Sequence, residues 1–130
     1  MFEINQEKRV KREVTDKLIN EFANVTSDYN PIHLDEAYAS KTVFGRRIAH
    51  GMITASFISA VLGNEFPGKG TIYMEQNLKF IAPVFVGETL EILVKILAIN
   101  DNKATLLTEV FNDEGEKKLT GEAKVLLPLE

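Results

Sequence analysis

The chain has 130 residues, 45% of them hydrophobic and 26% charged, with a net charge of −4 and no cysteine. That length and balance give one globular domain, residues 1–130, able to bury a core without metal or disulfide support. They exclude disulfides, thiolate metal sites and cysteine nucleophiles, and the absence of a basic stripe argues against a nucleic-acid partner.

The first sixteen residues, "MFEINQEKRVKREVTD", lack the apolar core and small-residue cleavage site of a secretory signal. No apolar run approaches the roughly 18 residues of a membrane span; "EILVKILAI" comes nearest, and Lys95 interrupts it. A chain without cysteine suits a reducing compartment, so a soluble, cytoplasmic protein with no membrane partner is expected.

Along the chain, "RVKREV" alternates and predicts a short edge strand. From Thr15 to Val25 the spacing of Leu18, Ile19, Phe22 and Val25 predicts a helix, with Thr15 or Asp16 as its N-cap. "LDEAYASKT" reads as a short helix and turn. "HGMITASFISAVLGNEFPG" is apolar or small nearly all the way round and closes at Gly63 and Pro67, the pattern of a buried helix over 51–63.

The second half then switches to period two. "TIYMEQNLKFIA" puts Ile72, Met74, Leu78 and Phe80 on one face, with Gln76 as a polar intruder. "ETLEILVKILAIN" aligns Leu90, Ile92, Val94, Ile96 and Ala98; "KATLLTEVFN" alternates less cleanly. "KKLTGEAKVLLP" separates Leu119, Ala123, Val125 and Leu127 from Lys118, Thr120, Glu122 and Lys124. The turn residues of "NDNK" and "NDEGE" between these runs predict antiparallel hairpins.

The expected architecture is α+β: a single hotdog domain, in which four long antiparallel strands curve around the central helix. Outward-facing Leu93, Leu97, Ile99 and Leu107 exceed what a solvated face carries, which points to a homodimer.

Chemistry concentrates in "SDYNPIH", residues 27–33, which holds one of only two histidines. Pro31 breaks any helix here and pushes Asn30 to an extended conformation, so Asp28 and His33 can face one cavity. An acid and an imidazole sharing a partly dry pocket can grip and deprotonate a water. Equally, Asp28 and Asn30 can form a simple turn with His33 capping the next helix. A metal site is not expected, because neither histidine has a ligand-spaced companion. No nucleotide-cofactor fingerprint is present, so no cofactor is expected.

"FGRRIAHGM" supplies the second feature. Gly51 opens the buried helix, where backbone N–H groups lack partners and the dipole favours negative charge; alternatively, glycine merely lets the chain enter a crowded helix. His50 reads as structural, with no partner nearby. Arg46 and Arg47 are candidates for a phosphorylated ligand or for solvated surface. Ser59 can support a catalytic group or bond the carbonyl four residues back, and Gln76 can bind substrate or be a satisfied core amide. Tyr38 and Phe44, with Phe57, Ile58 and Leu62 of the helix, are the bulky candidates for limiting a ligand's length.

"FANVTSDYNPIHLDEAYA" followed by "FGRRIAHGM" resembles the signature of the MaoC-like hydratases, the (R)-specific 2-enoyl-CoA hydratases. Phe22, Ser27, Asp28, Asn30, Pro31, Ile32, His33 and Ala39 fill that pattern, with Ser27 where many members carry glycine. "PGKGTIYMEQNLKFIAPVFVGE" is similar to bacterial short-chain members that feed polyhydroxyalkanoate synthesis, and the resemblance runs from about Lys11 to Pro128.

The resemblance implies a hotdog homodimer acting on an acyl-CoA. In it, Asp28 and His33 hold the catalytic water, Asp28 activates it for attack on C3 of a trans-2-enoyl thioester, and the pair returns a proton to C2. The Gly51 N–H polarises the thioester carbonyl, and Ser59 orders the site. Three rivals share the fold: an acyl-CoA thioesterase, a non-catalytic acyl-binding module and a dehydratase of carrier-protein substrates. The buried helix "GMITASFISAVLG" carries no carboxylate for the first, and a module without chemistry needs no acid–imidazole pair.

Overall fold

A computed structural model describes residues 1–129. In chain order it comprises β1 (Glu7–Glu13), α1 (Asp16–Thr26), α2 (Pro31–Leu34), α3 (Glu36–Ser40), α4 (Gly51–Asn64), β2 (Ile72–Gln76), β3 (Lys79–Phe80), β4 (Thr89–Asn100), β5 (Lys103–Asn112) and β6 (Lys117–Leu126). All pairings are antiparallel, in the order β1-β4-β5-β6-β2, with β3 also on β6. The six-stranded sheet wraps α4, the hotdog arrangement.

The predicted period-two faces form the core. Leu90, Ile92, Val94 and Ile96 of β4 are fully buried, as are Leu119, Ala123 and Val125 of β6. Against them α4 packs Ile53, Ile58, Val61 and Leu62. Thr15 caps α1, its hydroxyl accepting from the Leu18 N–H at 3.0 Å. That bond satisfies one of the helix's orphan donors.

Three expectations need correcting. The first of the four expected strands, "TIYMEQNLKFIA", is split into β2 and β3, because the chain leaves the ladder at Asn77, whose carbonyl closes onto β6 at Gly121. A Cβ on Gly121 would collide with that carbonyl, so only glycine fits. Ile72, Met74 and Phe80 are consequently exposed rather than core: β2 is an edge strand, and a register shift between Tyr73 and Glu75 turns its faces. Finally, Leu93 is already buried within the chain. Leu97 is exposed as expected and Ile99 and Leu107 are partly so, while a further group of exposed apolar residues, Ile72, Tyr73, Met74, Phe80 and Ile81, lies on and just beyond β2 and β3.

Candidate active site

The loop between α1 and α2 is built from local devices. α1 ends at Ser27 with φ 64° and ψ 23°, left-handed backbone. For an L-residue that conformation costs roughly 1 kcal/mol, which explains physically why glycine suits this position. Asp28 Oδ1 then accepts the N–H of Asn30 at 3.3 Å, and Asn30 Oδ1 accepts that of Ile32 at 3.2 Å, capping α2. Pro31 takes the first helical position, where a missing N–H costs nothing. The turn and the acid are thus not alternatives. One carboxylate oxygen makes the turn, and the other takes no protein partner among the described residues.

His33 lies in the last turn of α2, partly buried. Its Nδ1 stands 2.7 Å from the carbonyl of Ile48. A carbonyl only accepts, so Nδ1 carries the proton and the neutral ring presents a lone pair at Nε2. Ile48 is itself fixed by a bridge to Phe85 and by its N–H to the Ile32 carbonyl at 3.3 Å. Burial lowers the His33 pKa below the ordinary imidazole value, and neighbouring His50 lowers it further; the Ile48 carbonyl and Asp28 oppose this without cancelling it. The ring is therefore neutral at pH 7.

His50, read from the sequence as lacking a partner, has two. Its Nε2 is 3.0 Å from the Asp28 carbonyl, and its ring stacks on His33 at 3.9 Å between centroids, tilted by 30°. Asp28, His33 and His50 each place one ligand-type atom within 4.8 Å of the others, so each histidine does have a ligand-type companion. One nitrogen of each ring is committed to a carbonyl, which leaves His33 Nε2 and His50 Nδ1 as the ring atoms without a carbonyl partner.

A cleft of about 500 Å³ opens beside His33. Gly51 lines it together with the apolar residues Phe44, Ile48, Met52, Phe80 and Val84. The Gly51 N–H lies in the first turn of α4, where no intrahelical acceptor exists. A side chain at Gly51 would stand 2.8 Å from the Phe80 ring, so close packing and an exposed N–H both call for glycine.

The other candidates lie elsewhere. Ser59 and Gln76 line a neighbouring groove between α4 and β2. The Gln76 amide donates to Thr108 Oγ1 at 3.0 Å and to the Asn77 carbonyl at 2.7 Å, and its oxygen accepts from the Tyr73 hydroxyl. Tyr38 is exposed on α3, outside the cleft lining. Arg47 donates to the His33 carbonyl at 2.7 Å and pairs with Asp16 at 2.7 Å, tying α2 to α1. Arg46 stacks over the Phe85 ring at 3.8 Å and has no acidic partner among the described residues.

Two cleft residues escaped the sequence reading. Lys118, assigned there to the solvent side of β6, is only 3% exposed. The 82–88 segment folds over it, so its ammonium donates to the Pro83 carbonyl at 2.8 Å and pairs with Glu116 and Glu88. Thr54, the single polar residue on the inner face of α4, is 2% exposed with an unpartnered hydroxyl.

The family model described as "MaoC like domain" matches residues 3–117. The chain is 43% identical over 128 residues to the (R)-specific enoyl-CoA hydratase of Aeromonas caviae, covering 97% of this chain and 96% of that one. To the 3-hydroxybutyryl-CoA dehydratase of Methylorubrum extorquens it is 42% identical over 120 residues, covering 92% and 76%. The solved structure of the A. caviae (R)-hydratase involved in PHA biosynthesis matches with a TM-score of 0.95 at 42% identity, over 98% of both chains. With the acid–imidazole loop and the wrapped helix in place, these likenesses make the chain a member of the MaoC-like family.

Proposed function

We propose that this chain is a cytoplasmic (R)-specific enoyl-CoA hydratase, adding water reversibly to a trans-2-enoyl-CoA to give the (R)-3-hydroxyacyl-CoA. The observation that carries this reading is the convergence of Asp28 and His33 beside an apolar cleft that the Gly51 N–H also borders.

A water between the two side chains donates one hydrogen to the Asp28 carboxylate and the other to His33 Nε2, which directs its lone pair at C3. Its hydroxyl bonds to C3. The displaced proton passes to the pair and from there to C2 on the same face. The C3 centre is electrophilic only while the thioester oxygen takes up charge, and the Gly51 N–H with the α4 dipole stabilises that oxygen. Asn30 holds the loop in shape, and Arg47 holds His33 from behind. Arg46, with no acidic partner among the described residues, is free to meet a coenzyme A phosphate. Phe44, the bulky candidate from the sequence that lines the cleft, supports a short acyl chain. The apolar residues on and beside the β2 edge are where a second copy would dock as a homodimer.

The assay is loss of the enoyl absorbance of crotonyl-CoA, with a thiol reagent in a parallel cuvette. Rapid loss without thiol is the expected result. Thiol as the main product would identify a thioesterase instead, although α4 offers it no carboxylate.

A further inference from the structure

Two buried groups at the start of α4 are unused by the reaction as described. His50 and Thr54 are four residues apart, which puts them on one side of the helix. Each is 2% exposed. Each holds one side-chain atom without a partner among the described residues, His50 Nδ1 and Thr54 Oγ1. Buried polar atoms are rarely left so, because an unmade hydrogen bond in a dry setting is costly.

Their chemistry is complementary. His50 Nε2 faces the Asp28 carbonyl, which only accepts, so Nε2 holds the proton. In the neutral ring Nδ1 is then an acceptor. A threonine hydroxyl is a rotatable donor, and a helical threonine usually spends it on the carbonyl four residues back. Thr54 makes no such bond. We infer that the Thr54 hydroxyl serves His50 Nδ1 through one buried water, the two atoms being too far apart or misaligned for a direct bond, and so locks His50 as the positioning residue of the Asp28–His33 pair.

His50 touches both members of that pair. It grips the main chain of Asp28 at 3.0 Å and lies against the His33 ring at 3.9 Å. Among the described residues the acid and imidazole groups facing it are Asp28 and His33; from α1 its neighbour is the Phe22 ring, at 5.1 Å. With Nδ1 accepting through that water, the His50 ring is held in one tautomer, its Nε2–H on the Asp28 carbonyl. Without that donor the ring is free to exchange tautomers and release Asp28. This role rests on the hydratase reading, so its test needs one arm that does not depend on turnover.

That arm is the nitrogen NMR spectrum of imidazole-labelled protein. Wild type shows His50 as the neutral Nε2–H tautomer, and Thr54→Val, which removes only the hydroxyl, shows a mixture or a protonated ring. In parallel, Thr54→Val lowers kcat on crotonyl-CoA about tenfold, the scale of one hydrogen bond, with KM unchanged, and Thr54→Ser restores it. The acid limb of the pH profile moves in Thr54→Val and returns in Thr54→Ser. A wild-type His50 carrying its proton on Nδ1, or a Thr54→Val variant with unaltered His50 signals and kcat, overturns the inference. If Thr54→Val does not fold, the wild-type tautomer and the Thr54→Ser pair decide. An inactive wild type with the expected spectra would instead discard the hydratase reading and keep the water-mediated His50–Thr54 link.

Discussion

Asp28→Asn lowers kcat for crotonyl-CoA hydration about 1,000-fold, within the range of a lost general base, and leaves KM within about threefold. The substitution is a clean one on structural grounds. The asparagine oxygen can still accept the Asn30 N–H, so the turn that shapes the loop survives. His50 still reaches the carbonyl of residue 28, because that contact is to main chain. What goes is the negative charge and the oxygen that would take the proton. Initial rates of enoyl absorbance loss read this directly. A loss smaller than about tenfold would remove Asp28 from the role of base.

His33→Ala is expected to cost about 100- to 10,000-fold in kcat and to abolish the acid limb of the wild-type pH profile. The sign follows from the state of the ring. Burial and His50 depress its pKa in the folded protein, and the reaction needs the neutral form with an open Nε2. Activity is therefore full above that depressed value and falls as pH drops through it, at a midpoint below the ordinary imidazole value of about 6.5. The profile of kcat/KM against pH checks this in wild type and variant. A wild-type limb centred above about 6.5 would mean that the active ring is stabilised as a cation, contrary to its surroundings.

What could be read from the sequence was what depends on near neighbours. Pro31 breaks the chain between Asp28 and His33 whatever lies elsewhere, and Thr15 caps α1 from three residues away. The alternation of Leu90, Ile92, Val94 and Ile96 has one physical solution, a strand with a buried face. Contacts that close over long separations were not legible. The partner of His50 is 22 residues upstream, and that of Gln76 is 32 residues downstream. The break between β2 and β3 depends on Gly121, which nothing in "TIYMEQNLKFIA" announces.

Lys118 shows the limit of a period-two rule. Alternation assigns it to the outer face, but the β5–β6 register shifts between Val110 and Phe111, so Lys118 is the extra residue of a bulge. Nor does the rule know that residues 82–88 return over this residue and supply a carbonyl and a carboxylate for the ammonium. Arg47 is similar: as a charge in a loop it looks available for a ligand, yet Asp16 and the His33 carbonyl occupy its fork.

Hydration of crotonyl-CoA in deuterium oxide, with the product resolved by proton NMR, asks whether one acid–imidazole pair serves both ends of the double bond. A single deuterium at C2, on the same face as the new C3 hydroxyl and with R configuration at C3, is the expected product. Anti addition would place the water and the proton donor on different groups and contradict the Asp28–His33 mechanism, whereas an S alcohol would overturn the R specificity.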